Sequence, residues 1–126
     1  MKANYKIAIA LVAGMAIGGA AIQSLHAQAK APAYTIAEID VTDEVAYKAY
    51  VDGNSTLLAA AGGHFIVRGG KNAVVAGAPP KRSAVIAWDN FDQAQAYYNS
   101  AAYKALIPNR DKSSNFRAFI IEGVAK

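Results

Sequence analysis

Residues 34–41 have the sequence Tyr-Thr-Ile-Ala-Glu-Ile-Asp-Val, in which apolar and β-branched residues follow an alternating pattern. This pattern predicts a β-strand that is buried on one face. Because successive side chains of a strand point to opposite faces of the sheet, Ala37, Ile39 and Val41 form one small and apolar row. That row suits a core covered by helices. The other row should face away from the helices, and it consists of Tyr34, Ile36, Glu38 and Asp40.

The segment after this strand has the signals of a helix. Thr42 or Asp43 can cap a helix that ends near Ala61, because short polar side chains accept hydrogen bonds from the first free amides. Gly62-Gly63 is typical of a helix end. Gly53-Asn54-Ser55 is expected to interrupt this helix.

A short hairpin is predicted next. His64–Arg68 forms its first strand, Gly69-Gly70 makes the turn, and residues 72–76 form the second arm. Residues 77–81 contain Pro79-Pro80 and are expected to form a loop.

The last part of the chain has the pattern strand, helix, strand. Ser83–Trp88 is the first of these strands, and Asp89-Asn90 supplies the cap of the helix that follows. A further helical turn begins at Ser100 and is expected to end at Pro108, before the final strand Phe116–Glu122. The complete order predicts an α+β, ferredoxin-like βαββαβ sandwich, with an antiparallel four-stranded sheet and two helices on one face.

The other face of this sheet would have no helix on it. Three mixed rows of apolar and ionisable side chains are assigned to that face: the row of the first strand, then His64, Ile66 and Arg68, then Phe116, Ala118, Ile120 and Glu122. An uncovered antiparallel sheet shows cleaner polar alternation. The mixed rows therefore favour a partner subunit that covers the face around a partly enclosed cavity, and a solvated sheet is the alternative.

The first residues have the pattern of a secretory signal peptide. Lys2 and Lys6 precede residues 7–22, which carry no charge, and Ala27-Gln28-Ala29 fits a small-residue cleavage site. We expect residues 1–27 to be removed, or residues 1–29 if cleavage follows Ala29. Residues 28–33 would then be a disordered leader before a domain of residues 34–126. A retained anchor is the alternative, but a spanning helix needs about 20 apolar residues.

Composition excludes several classes of protein. The chain of 126 residues has no cysteine, so disulfide scaffolds, thiol catalysis and thiolate metal sites are excluded. Its net charge of +4 includes Lys2 and Lys6, and without residues 1–27 the charge is 11 minus 9, or +2. That excess is too small for a nucleic-acid interface, which needs clustered basic residues.

A set of residues spread along the chain carries a family resemblance. It comprises Tyr47 and Tyr50, Gly62-Gly63, Phe65-x-Val67-Arg68-Gly69-Gly70, Arg82, Tyr98-x-Ser100-x-x-Tyr103, Arg110 and Glu122-Gly123. With these, residues 34–123 resemble the domain of unknown function 1330 family. That family belongs to the dimeric α/β-barrel superfamily, in which two ferredoxin-like subunits join their sheets. The resemblance implies a homodimer and no settled activity. Ala76 departs from it, because an acidic residue is expected there.

Arg68 is the first candidate for a ligand-binding residue. Its guanidinium could hold a carboxylate or phosphate through two hydrogen bonds, assisted by the amides of Gly69 and Gly70. The alternative is a structural ion pair with Glu122 or Glu38.

Other candidates lie near the loop and the second helix. Arg82 follows the Pro-Pro loop and Arg110 follows the helix, so either could line a cleft. Tyr98 and Tyr103 are five residues apart, and they would meet only if Ser100 restarts the helix. Packing is the alternative role of both tyrosines.

His64 and Glu122 are the candidates for an acid or base. The ordinary pKa of histidine suits proton transfer, and Glu122 is the acid expected to be partly buried beside an arginine. Metal binding by His64 would need donors such as Glu38 or Asp40, and no metal site is expected.

These features favour an exported, periplasmic or secreted homodimer that binds a small anionic or aromatic ligand in a cleft at the sheet face. No cofactor, nucleic acid or membrane contact of the mature chain is expected. One alternative is a cofactor-independent enzyme of the oxygenase or isomerase type. The other alternative is a purely structural dimer.

The signal-peptide pattern makes a prediction about processing. Protein isolated from the exported fraction of its host should begin at Gln28 or Lys30, because signal peptidases cleave after small residues. Intact-mass spectrometry measures this directly. An uncleaved chain found in the membrane fraction would show instead that residues 7–22 are a retained anchor.

Overall fold

The computed structural model of the protein describes residues 31–126. The predicted signal peptide, residues 1–27, and both cleavage positions lie outside the described residues. Ala33, the last residue of the predicted leader, belongs to the first strand and is fully buried.

The predicted ferredoxin-like sandwich is confirmed. All strand pairs are antiparallel, and the four strands lie in the order β2-β3-β1-β4. In chain order the elements are β1 Ala33–Val41, α1 Glu44–Ala60, β2 His64–Arg68, β3 Arg82–Trp88, α2 Phe91–Asn99, α3 Ala101–Lys104, α4 Ile107–Ser113 and β4 Ser114–Glu122. The sheet of this single chain is open at β2 and β4 and is not closed into a barrel.

The register of β1 sets the two faces of the sheet. Ala33, Thr35, Ala37 and Ile39 are buried and face the helices, as the alternation predicted. Phe116 lies opposite Ile39. The β4 row that begins at Phe116 therefore faces the helices as well, and its assignment to the open face was wrong. The open-face row of β4 contains Arg117, Phe119 and Ile121.

A β-bulge corrects the prediction for β2. Phe65 lies opposite Ile86 and Arg68 lies opposite Ala84, with a register shift between Phe65 and Val67. The extra residue lets two side chains three positions apart share one face. Arg68 therefore faces the helices and not the open face.

The predicted second arm of the hairpin is absent, because β2 pairs directly with β3. The Gly69 amide donates to the Ser83 carbonyl oxygen at 2.8 Å, which ends the ladder. Gly69 and Gly70 then have φ of 67° and 101°, a backbone region that favours glycine. They turn the chain away from the sheet, and residues 72–76 are exposed and form no strand.

Two further predictions about helices were wrong. Asp43 caps α1 as predicted, but the helix continues through Gly53. A Cβ atom on Gly53 would lie 2.9 Å from Leu106 Cδ2, so this glycine allows close packing. Pro108 lies in the first turn of α4, where its missing N–H costs no helical hydrogen bond, and it does not end a helix.

The core lies between the helices and the sheet and is rich in aromatic rings. Its buried aromatic residues are Tyr47, Tyr50, Trp88, Tyr97 and Tyr103. Among the helices of residues 31–126, none has the length and apolar character needed to cross a bilayer.

Candidate functional site

A cavity of about 200 Å³ lies between α1 and the helix-facing side of the sheet. Most of its lining is apolar or aromatic: Ala37, Ile39, Tyr47, Tyr50, Val51, Phe65, Ala84, Ile86, Tyr98 and Phe116. Its polar lining residues are Thr35, Asn54, Ser55, Arg68, Arg82 and Ser83, with Gly69. This cavity lies on the opposite side of the sheet from the cleft that the sequence predicted.

Arg68 lies at the exposed edge of this cavity. Its Nη2 atom donates to Ser55 Oγ at 3.1 Å, and its guanidinium carbon is 4.5 Å from the centroid of the Phe65 ring. Among residues 31–126, no carboxylate forms an ion pair with Arg68. These contacts position the cation without neutralising it.

Arg82 lies at the same edge but has an acidic partner. Its Nη2 atom is 3.4 Å from Glu44 Oε1, and its guanidinium carbon is 5.6 Å from the centroid of the Tyr47 ring. Because Glu44 partly neutralises Arg82, Arg82 adds less positive charge to this edge of the cavity than Arg68 does.

A chain of hydrogen bonds joins α1 to the later helices. Arg110 Nη1 donates to Tyr103 Oη at 3.1 Å, and Tyr103 Oη lies 3.0 Å from Tyr50 Oη. Burial acts to lower the pKa of Arg110, but the hydrogen bonds to Asp111 and Tyr103 together outweigh it, so the pKa is raised above its ordinary value. The guanidinium is therefore a permanent donor at one end of this chain.

Two more polar contacts stabilise the rings around the cavity. Tyr97 Oη donates to Asn54 Oδ1, and Trp88 Nε1 donates to Thr35 Oγ1 at 3.0 Å. Both acceptor residues line the cavity. Buried polar groups need such partners, since an unpaired one costs about 1–3 kcal/mol.

The phenols of the site stay neutral at physiological pH. Burial raises the pKa of Tyr98 to about 12, against a smaller opposing effect of its hydrogen bond with Thr35. Burial also raises the pKa of Tyr47, Tyr50 and Tyr97 above the ordinary value of 10.0. Tyr47, Tyr50 and Tyr98 line the first cavity, so their neutral phenols can donate hydrogen bonds to a ligand but are poor proton acceptors.

A second cavity of about 300 Å³ lies on the β4 side of the first. It is lined by Tyr103, Ile107, Arg110, Ala118, Phe119 and Ile120, together with Thr35, Tyr98 and Phe116. The last three residues also line the first cavity, so the two cavities are neighbours.

The structure brings together most of the predicted ligand-binding residues. Arg68, Gly69, Arg82 and Tyr98 line the first cavity, and Tyr98, Tyr103 and Arg110 line the second. Ser100 does cap a new helix, and the Tyr98 and Tyr103 rings meet edge to face with centroids 4.8 Å apart.

The other predicted site residues lie elsewhere. Gly70 lines neither cavity, and the Gly69 amide already donates to Ser83. His64 is exposed, and it lies opposite Ala87 on the open side of the sheet. Glu122 is exposed at the end of β4.

The predicted ion pair between Arg68 and Glu122 does not form. Arg68 is on β2 and Glu122 is on β4, at opposite edges of the sheet. Arg117 pairs with Glu38 across the open face instead. No cluster of three or more potential metal-binding side chains occurs within residues 31–126.

Most lining residues of the first cavity were not predicted as site residues, and three of them are buried on α1. These three are Tyr47, Tyr50 and Asn54, and their spacing places them on one face of a helix. That spacing was visible in the sequence. It does not distinguish a cavity lining from a packed core.

A comparison with family models supports the predicted resemblance. The model described as Domain of unknown function (DUF1330) matches residues 32–124. A comparison with curated proteins gave no match.

Solved structures with the same fold are distant in sequence. A protein of unknown function from Rhodopseudomonas palustris has a TM-score of 0.63 and 11% identity, over 84% of this chain and 93% of its own. A dimeric ferredoxin-like protein of unknown function from Thermobifida fusca has a TM-score of 0.51 and 17% identity, over 74% and 92%. SnoaB, a cofactor-independent oxygenase from Streptomyces nogalater, has a TM-score of 0.52 and 9% identity, over 76% and 96%. Each likeness concerns the fold.

The buried tyrosines predict a loss of stability at alkaline pH. Burial raises the pKa of Tyr50, Tyr97 and Tyr98 in the folded protein. Above pH 10 the unfolded chain therefore releases protons that the folded chain retains. The free energy of unfolding should then fall by about 1.4 kcal/mol per pH unit for each such tyrosine. Urea unfolding followed by circular dichroism, from neutral pH to about pH 12, measures this slope.

The Tyr50→Phe variant should show a shallower slope, because it removes one of these groups. Tyrosinate absorbance should appear together with unfolding. If all tyrosines ionise near pH 10 in a protein that remains folded, the description of these phenols as buried is wrong.

Proposed function

The chain belongs to the family described as Domain of unknown function (DUF1330), and on that premise we propose that it binds small aromatic anions in the cavity between α1 and the sheet. The observation that carries this proposal is the position of Arg68. It is a fixed guanidinium at the edge of an aromatic cavity, and no carboxylate within residues 31–126 neutralises it. A cation in this setting favours an anionic ligand.

The size and lining of the cavity define the ligand further. A volume of about 200 Å³ is somewhat larger than an apolar cavity of about 150 Å³ that binds benzene. This space suits a ligand with a single ring. The rings of Tyr47, Phe65 and Phe116 offer apolar contacts to such a ligand, and Arg68 offers the charge.

A cofactor-independent enzyme is the alternative, and the likeness in fold to the oxygenase SnoaB keeps it open. His64 and Glu122, the predicted bases, do not line the cavity. The polar groups of its lining residues are guanidinium, amide, phenol and hydroxyl groups, and none of them is an effective base at neutral pH. The geometry therefore favours binding. Consumption of a bound aromatic in air, without an added cofactor, would support the enzyme instead.

We also propose that the protein is a homodimer joined through the open face of the sheet. Ile66, Val67, Phe119 and Ile121 are exposed apolar residues of β2 and β4, and Tyr34, Ile36 and Val85 on the inner strands are only half-buried. A large exposed apolar patch marks an interaction surface. The Thermobifida fusca protein of similar fold is described as dimeric.

Export is the remaining part of the proposal. The signal-peptide pattern of residues 1–29 supports action in the periplasm or outside the cell. The domain has no cysteine, so an oxidising compartment would not alter its covalent structure.

Removal of the Arg68 charge should weaken the binding of an aromatic anion. We expect Arg68→Gln to lower the affinity for benzoate by about 10-fold to 100-fold, because a hydrogen bond to a charged group contributes about 1.5–3 kcal/mol. The affinity for benzamide, which has the same shape and no charge, should change little. Isothermal titration calorimetry measures both ligands.

Arg117→Gln is the matched control, because it removes an exposed arginine on the opposite face of the sheet. Equal losses in the two variants would point to a general effect of charge and against the site. If neither ligand binds to a folded dimer, the purely structural alternative gains support.

A charge placed on the open face should separate the subunits. The Ile121→Glu variant should be monomeric at micromolar concentration while the parent is a dimer, since a stable interface buries about 800 Å² per partner and tolerates no unpaired charge. Light scattering after size-exclusion chromatography measures the mass. Val75→Glu is the control, because Val75 is 99% exposed in the loop before β3. A parent that stays monomeric at high concentration would contradict the proposed interface.

A further inference from the structure

The hydrogen-bond chain Arg110–Tyr103–Tyr50 has one more proton than its internal contacts use. Arginine only donates, whereas each tyrosine hydroxyl can donate one proton and accept at its oxygen. Arg110 donates to Tyr103, and a single contact of 3.0 Å joins the two hydroxyls. The two hydroxyls hold two protons, and the contact between them uses one. One O–H group is therefore left without an acceptor in this chain.

The charge of Arg110 decides which hydroxyl that is. Hydrogen bonds in a chain polarise one another, so the guanidinium makes Tyr103 a stronger donor than Tyr50. This polarisation favours Tyr103 as the donor to Tyr50, and in that arrangement the proton of Tyr50 is unused. Tyr50 is 3% exposed and lines the first cavity. A buried donor without a partner costs free energy, and an acceptor atom on a ligand would remove that cost.

The two ends of the cavity are chemically different. Arg68 is on β2, and the Tyr50 ring packs against Phe116 of β4 with centroids 5.9 Å apart. β2 and β4 are the edge strands of this sheet, three strand spacings of about 4.8 Å from each other. If Arg68 holds the anionic group of an aromatic ligand, the opposite side of the ligand's ring therefore faces Tyr50.

We propose that Tyr50 selects ligands that carry an oxygen acceptor on the ring, remote from the anionic group. The ligand class is then an aromatic carboxylate with a carbonyl or similar oxygen, and Tyr50 donates a hydrogen bond to that oxygen. Tyr103 and Arg110 are positioning residues that orient the Tyr50 proton. This inference rests on the proposed function, because it places the anionic group at Arg68.

A pair of probes of equal shape tests this selection. 4-Acetylbenzoate carries a carbonyl oxygen, and 4-isopropenylbenzoate carries a methylene group in its place. The parent should bind the first about tenfold more tightly, as expected for one hydrogen bond to an otherwise unpaired donor. Tyr50→Phe should reduce this ratio to less than about twofold, with little change for 4-isopropenylbenzoate.

The positioning residues should alter the ratio in the same direction. Tyr103→Phe and Arg110→Gln should each lower it to about threefold, because Tyr50 then loses its orientation and keeps its proton. Tyr34→Phe is the control, since Tyr34 lies on the open face, and its ratio should equal that of the parent. Thermal unfolding of each variant confirms folding, and the ratios of Tyr103→Phe and Arg110→Gln decide the question if Tyr50→Phe does not fold.

Each contrary outcome has a separate meaning. Equal binding of the two probes to the parent, still dependent on Arg68, would overturn the role of Tyr50 and leave the proposed function intact. A ratio that survives in Tyr50→Phe and is lost in Tyr103→Phe would assign the free proton to Tyr103 and overturn the inference. Failure of both probes to bind to a parent that still binds benzoate would overturn this inference alone, and loss of benzoate binding as well would overturn the proposed function.

Discussion

The small side chains of the helix-facing row of β1 are the constraint on which the rest of the domain depends. Ala33, Thr35 and Ala37 lie on an inner strand of the sheet and are at most 3% exposed. Protein interiors are packed to nearly constant density, so large groups from the opposite layer must fill the space above these residues. Aromatic rings of the helices, with the indole of Trp88, fill most of that space. The part that they leave empty is the cavity.

Filling this space with phenols has an electrostatic consequence. Each hydroxyl oxygen needs a partner inside the core, and those of Tyr97, Tyr103 and Tyr50 contact Asn54, Arg110 and each other. Burial raises the pKa of Tyr50 and Tyr97, so the interior remains neutral. The charges stay at the edges of the cavities, on Arg68, Arg82 and Arg110. This separation gives a ligand an apolar interior and a cationic rim.

The order of elements and the buried row of β1 could be predicted, because alternation and helix caps are local signals. The face of the sheet on which Arg68 lies could not be predicted, because the composition of β2 does not indicate the bulge that adds one residue. The continuity of α1 through Gly53 could not be predicted either. Gly53 lies close to Leu106, a residue far along the chain, and this tertiary contact is not visible in the local sequence. Glycine alone indicates a break or a close contact equally well.

Within the candidate site, residues positioned by local signals were predicted, and residues whose roles depend on other elements were missed. Tyr98 and Tyr103 were placed together only if Ser100 restarted the helix, and the Ser100 cap does so. Tyr50 was missed, because helical spacing alone cannot tell a lining residue from a core residue. The pairing partners of Tyr50 and Arg68 decide their roles, and those partners come from other elements. Since the cavity and the exposed apolar rows lie on opposite faces of one sheet, the proposed ligand site and the proposed subunit interface use different side chains of the same strands. Substitutions can therefore change one without changing the other.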